Sequence, residues 1–131
     1  MMKENRLFLM DNKVGRCAVK TVTLPWTSEG LPPGWSMQTF RERGMETQVF
    51  RAEPGASFPA HDSPDEWKGL MLEGRMVLEL WELKGKTVET LVCEEGDAFI
   101  FGANVHHAWR NDGPKPARMA FTRKTDIIET K

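Results

Sequence analysis

Turn signals interrupt this chain about every ten residues, a spacing that suits short strands and leaves no room for long helices. They fall at Pro32-Pro33-Gly34, Arg43-Gly44, Pro54-Gly55, Glu73-Gly74, Lys84-Gly85, Glu95-Gly96 and Asn111-Asp112-Gly113-Pro114. Glycine and proline end regular structure at such points. Between them lie β-rich runs at 17–24, 35–40, 46–52, 69–72, 76–83, 87–92, 98–101, 107–110 and 117–122. No window of about eleven residues keeps a clean helical period. Many short strands with evenly spaced turns predict an all-β sandwich or barrel. The stretch 27–34 reads as a loop, a candidate lid or dimer arm.

The run 76–83, Met-Val-Leu-Glu-Leu-Trp-Glu-Leu, is apolar on both sides. Successive strand residues point to opposite faces. Met76, Leu78 and Leu80 therefore share one face, and Val77, Trp81 and Leu83 the other. A strand with one wet face would alternate more cleanly. The expectation is a strand covered on both sides, by a second sheet, by the N-terminal segment or by a dimer partner.

Length and charge bound the rest. At 131 residues the chain has the size of one domain. The reading divides it into an N-terminal strand and loop segment at 1–35, a β-barrel at 36–125 and a tail at 126–131. The N-terminal segment is expected to pack on the barrel or on a dimer partner. Eighteen basic and nineteen acidic residues give a formal net charge of −1 with no basic stripe, so no nucleic-acid partner is expected. Apolar runs are too short for a membrane helix, and the stretch 1–10 is too short in apolar residues for a secretory signal. A cytoplasmic location follows as the default expectation. Cys17 and Cys93 form no Cys-x-x-Cys pair and read as reduced thiols. No Ser-His-Asp order, phosphate loop or dinucleotide glycine pattern is present.

All three histidines lie in two segments of similar design. The first runs from Gly55 through His61, Ser63 and Trp67 to Leu72-Glu73-Gly74. The second runs from Gly96-Asp97 through Phe99, Phe101 and Gly102 to His106, His107, Trp109 and Asn111. Each opens on a glycine turn and carries histidine on a strand-like run. Imidazoles so far apart in sequence meet only if the fold pairs their strands. Such convergence is a common way to build a metal or ligand site.

These segments resemble the two motifs of the cupin family. Gly55, His61 and Gly74 stand at the spacing of its first motif, and Gly96, His107 and Asn111 at that of its second. Glu53-Pro54-Gly55 is also a frequent lead-in, and the resemblance extends over residues 40–123. It implies a small single-domain cupin, a double-stranded β-helix or jelly-roll barrel. The departures are specific. Ser63 stands where the family has its second histidine, and Trp67 where it has glutamate, with Glu66 one place early. Gly102 and Asn104 replace the proline and glycine of the second motif. Of the four usual metal-ligand positions, His61 and His107 match.

The resemblance implies a divalent transition metal (Fe, Mn, Ni or Zn) in intact members. Here it implies a degenerate site, with His61 and His107 as hydrogen-bonding groups or weak ligands. Asp65 or Glu66 is the candidate third ligand, giving the two-histidine, one-carboxylate set that suits non-haem iron. Trp67 opposes this, because an indole fills space an ion would use. His106 has the opposite parity to His107 and should face away. The expected pocket is His61, Ser63, Trp67, Phe99, Phe101, His107 and Trp109. Five tryptophans, seven phenylalanines and eight methionines, with no tyrosine, suit an aromatic-walled pocket for a small, partly apolar or planar molecule. Arg51, Arg75 and Arg110 lie near the motifs, and one turned inward would grip a carboxylate. Strand arginines more commonly face solvent.

The leading expectation is therefore a small-molecule-binding cupin barrel, with a homodimer as the expected assembly. The alternative is a metal-dependent oxygenase, isomerase or lyase using His61, His107 and an acidic residue. The motif region is also similar to the sensory cupin domains fused to helix-turn-helix regulators, a role that would need a DNA-binding partner chain. A third class, an interaction scaffold, has no sequence feature behind it.

Overall fold

The computed structural model describes residues 5–82 and 86–125, and these residues form eleven strands and no helix. The strands are β1 (Asn5–Lys13), β2 (Arg16–Leu24), β3 (Trp35–Glu42), β4 (Met45–Ala52), β5 (Ser57–His61) and β6 (Trp67–Glu73). They continue with β7 (Arg75–Trp81), β8 (Thr87–Glu94), β9 (Ala98–Phe101), β10 (His107–Arg110) and β11 (Ala117–Lys124). The all-β expectation holds. None of the described residues forms a helix long and apolar enough to cross a membrane.

Two antiparallel sheets carry the fold. One has the order β3-β4-β11-β6-β9, the other β5-β10-β7-β8. Strands distant in sequence thus become neighbours: β11 lies between β4 and β6, and β10 between β5 and β7. Side chains alternate along β11, so Ala117, Met119 and Phe121 are buried while their neighbours are only partly covered. They join Met71 of β6, Met76 and Leu78 of β7 and Trp109 of β10 in one core. Burying each large apolar side chain contributes about 1.5–3 kcal/mol.

Turn chemistry shapes the corners. Gly74 alone separates β6 from β7, which belong to different sheets. Its φ is +76°, and a Cβ there would lie 2.7 Å from the Pro116 carbonyl oxygen. Only glycine meets both conditions. Asn111 is buried and ties three segments together. Its side-chain amide donates to the carbonyls of Ala52 and Lys115, and its Oδ1 accepts from the Gly113 N–H. Its backbone exchanges hydrogen bonds with Gly55 and Ala56. The asparagine of the second motif is thus a structural tie between the two motifs.

Strand β7 is covered on both faces at its start, where Met76, Val77 and Leu78 are all buried. Leu83 lies outside the described residues, as does the segment 126–131.

The hairpin β1–β2 is a layer of its own, and β1 is a strand the sequence reading lacks. Val14 and Gly15 link its strands with positive φ at both positions, 52° and 78°. That is the two-residue turn whose twist suits a hairpin, but its usual signature is Asn-Gly or Asp-Gly. Valine hid it. The hairpin leans on β3 through Gln38, which accepts from Asn5 Nδ2 at 2.8 Å and donates to the Leu24 carbonyl at 2.6 Å.

Candidate functional site

The pairing of β5 with β10 places His61 directly opposite His107. Their ring centroids are 4.5 Å apart. Each ring is fixed by its own backbone. His61 Nδ1 lies 3.0 Å from the Pro59 carbonyl oxygen, and His107 Nδ1 lies 2.9 Å from that of Val105. A carbonyl can only accept, so each Nδ1 carries the hydrogen. In the neutral ring Nε2 then holds the lone pair. No described residue hydrogen-bonds to either Nε2. Burial pushes the His107 pKa below its ordinary value, and the neighbouring His61 and His106 act in the same direction. The Val105 carbonyl and Asp62 oppose this without reversing it. His107 is therefore a neutral acceptor at pH 7.

The two rings open into a cavity of about 230 Å³. Both sheets supply its aromatic wall: Trp35, Phe50, Trp67, Phe101 and Phe121 from one, Phe58 and Trp109 from the other. Trp35 meets Phe58 edge to face at 5.1 Å, and Phe101 stacks on His107 at 4.3 Å. Gln48, Ser63 and Asp65 complete the polar part.

The two residues that depart from the first motif are bonded to each other. Ser63 Oγ accepts from the Trp67 indole N–H at 3.1 Å and from the Asp65 backbone N–H at 3.1 Å. The Ser63 carbonyl accepts from Asn104 N–H at 2.7 Å. Asn104 stands where the family has glycine and keeps a left-handed backbone, φ 64°, a conformation asparagine tolerates better than most residues.

Arg123 closes the rim. Its guanidinium lies 5.4 Å from the Trp67 ring centroid, 2.6 Å from Glu46 Oε1 and 2.7 Å from Asp65 Oδ2. Burial alone would raise the Glu46 pKa. Hydrogen bonds from Arg123 and Gln48, with the charges of Arg123 and Arg41, outweigh it and hold the carboxyl below its usual range.

Of the expected pocket residues, His61, Ser63, Trp67, Phe101, His107 and Trp109 line the cavity. Phe99 does not, which corrects the sequence reading. It shares a face with Phe101 but lies two residues before it on β9, only partly buried, packed against Trp109 and Phe121 and beside Gly69. Asp65 reaches the lining, already paired with Arg123, while Glu66 is exposed and outside it. His106 is outside it as well, with Nδ1 3.9 Å from Asp62 Oδ2, too far for a hydrogen bond. Arg51 pairs with Glu53 and Arg75 with Asp112, and neither they nor Arg110 line the cavity. Sequence reasoning omitted Trp35, Gln48, Phe50, Phe58, Val105, Met119 and Phe121. The run 46–52 reads as a strand, but its mixed residues mark neither its inward face nor the strands opposite.

These donors do not fit a three-ligand metal centre. Among the described residues no group of three His, Cys, Asp or Glu side chains is placed to hold an ion. A third protein ligand is usual even for an open catalytic zinc, and Asp65 is engaged by Arg123.

A model of the cupin domain matches residues 48–123. None of the curated proteins matches the sequence. Among solved structures, the chain is similar to the Cnp3 cupin domain of Schizosaccharomyces pombe at 14% identity and TM-score 0.63, covering 96% of this chain and 86% of that one. It is similar to an oxalate oxidase bound to the substrate analogue glycolate at 18% identity and TM-score 0.63, covering 73% of this chain and 53% of that one. It is also similar to the Bacillus subtilis oxalate decarboxylase, a protein with Mn(II) centres, at 16% identity and TM-score 0.65, covering 81% of this chain and 28% of that one. The chain thus spans about half of the oxidase and about a quarter of the decarboxylase. At these identities the likeness speaks to fold alone. The matched residues contain both histidine motifs and most strands of both sheets, and the chain belongs to the cupin family.

Proposed function

We propose that this cupin binds a small planar molecule in its aromatic cavity, with His61 and His107 as polar anchors and without an intact metal centre. The observation that carries the reading is the pair of Nε2 atoms left without partners at the cavity wall, beside a Ser63–Trp67 bond that occupies both departed ligand positions. A largely apolar cleft with a few convergent polar groups is the usual form of a small-molecule site. An apolar cavity of roughly 150 Å³ holds benzene, so about 230 Å³ suits a single substituted ring.

A second reading, a metal-dependent enzyme, draws on one observation. Anchoring Nδ1 on a carbonyl is also how proteins orient metal-ligating histidines. The oxalate decarboxylase among the structural neighbours has Mn(II) centres. On that reading His61, His107 and Asp65 would hold the ion, and Asp65 would first have to leave Arg123.

Metal analysis after separate incubation with Fe(II), Mn(II), Ni(II) and Zn(II), followed by dialysis, decides between them. The binding reading expects well under one metal per chain in every case. One metal per chain, lost in His61→Ala, overturns it in favour of the enzyme.

A further inference from the structure

The inference rests on the cavity reading above and concerns the charge of what enters it. No lysine or arginine lines the cavity. Arg51 is paired with Glu53, Arg75 with Asp112 and Arg123 with Glu46 and Asp65, and Arg110 lies outside the lining. The one charged side chain in the lining is itself a carboxylate, Asp65. The two imidazoles present Nε2 lone pairs, and Ser63 Oγ already accepts two hydrogen bonds. Around them stand the faces and edges of seven aromatic rings of Phe and Trp. A carboxylate entering here would lose its water and meet two imidazole lone pairs, with the rim cation Arg123 already paired with Glu46 and Asp65. A guest with O–H or N–H groups would instead satisfy both imidazoles. We propose that the cavity selects a small planar molecule whose polar end donates hydrogen bonds and carries no negative charge, and that it rejects carboxylates of the same size.

Three probes of one ring size test this on the intact protein at about pH 8. Phenol donates, anisole accepts only, and benzoate is an anion. Binding is read from the tryptophan indole N–H signals in NMR titrations. Phenol is expected to bind about tenfold tighter than either of the others, the ratio one well-made hydrogen bond supplies. In His61→Ala, where one acceptor is gone and the half-exposed site should still fold, the phenol-to-anisole ratio should shrink toward one. Benzoate binding as tightly as phenol overturns the selection against anions and leaves the cavity reading standing. Anisole matching phenol in the unaltered protein overturns the donor requirement. Silence from all three probes overturns the cavity reading itself.

Discussion

Replacing Gly69 with alanine tests the packing behind the cavity wall. Gly69 lies on β6 between Phe121 of β11 and Phe99 of β9. A Cβ added there would stand 2.5 and 2.6 Å from two ring carbons of Phe99 and 2.7 Å from one of Phe121. Carbon contacts are comfortable at about 3.5–4.0 Å, so both rings must retreat by roughly 1 Å. They have little freedom to do so, since each also packs against Trp109, at 5.6 and 6.0 Å between centroids. Overpacking of this kind costs about 1–3 kcal/mol. Gly69 has no positive φ, so alanine fits its backbone and gains about 0.4–1 kcal/mol from the stiffer unfolded chain. The net expectation is a loss of about 1–2 kcal/mol. With a urea m-value of about 2 kcal/mol/M, the unfolding midpoint should fall by roughly 0.5–1 M. Adding Phe99→Leu removes the clashing ring edge, so the double variant should lose less than the sum of the single losses. An unchanged or raised midpoint for Gly69→Ala would refute the close approach of the two rings.

Two further outcomes follow from charges at the site. The His107 pKa is lower in the fold than in the unfolded chain, where it is 6.5. The unfolded state therefore binds the proton first, and stability should decline as pH falls through 6.5 until folded His107 titrates, with a slope of at most about 1.4 kcal/mol per pH unit. His107→Gln should flatten that part of the stability–pH curve, and an unaltered curve would sink the assignment. Arg123→Met leaves the buried Glu46 with Arg41 and Gln48 alone, frees Asp65 and uncovers Trp67. A loss of about 1–3 kcal/mol is expected in urea unfolding, together with faster hydrogen exchange at the Asp65 and Asn104 amides. Exchange unchanged at both would mean that Arg123 does not hold this rim.

What was legible in the sequence is what local chemistry dictates. Gly74, Gly96 and Asn111 mark turns because few other residues can make them. The strand 76–83 announced burial on both faces because both faces are apolar. Alternation, however, assigns a side chain to a face and not to a position along it. That is why Phe99 and Phe101 read alike, although only Phe101 reaches the cavity. Long-range register is also silent in one sequence. Arg123 meets Glu46 because β11 pairs with β4, and nothing near either residue foretells it. The hairpin turn at Val14-Gly15 escaped for a third reason. Its backbone is one that Asn-Gly would have advertised and valine conceals.

The departures from the motif are of two physical kinds, and the difference bears on the proposed function. Asn104 replaces a glycine yet keeps its left-handed backbone and still donates to the Ser63 carbonyl. That substitution preserves the scaffold. Ser63 and Trp67 replace ligands, and they do so as a pair. A tryptophan alone at 67 would put an indole N–H in an aromatic-walled pocket with nothing to receive it, a loss of about 1–3 kcal/mol. Ser63 accepts that hydrogen, and Arg123 lies over the ring. Meanwhile the backbone hydrogen bonds that aim His61 and His107 are intact. Two replaced positions that satisfy one another, beside two imidazoles still held by backbone carbonyls, support the proposed pocket for an organic guest.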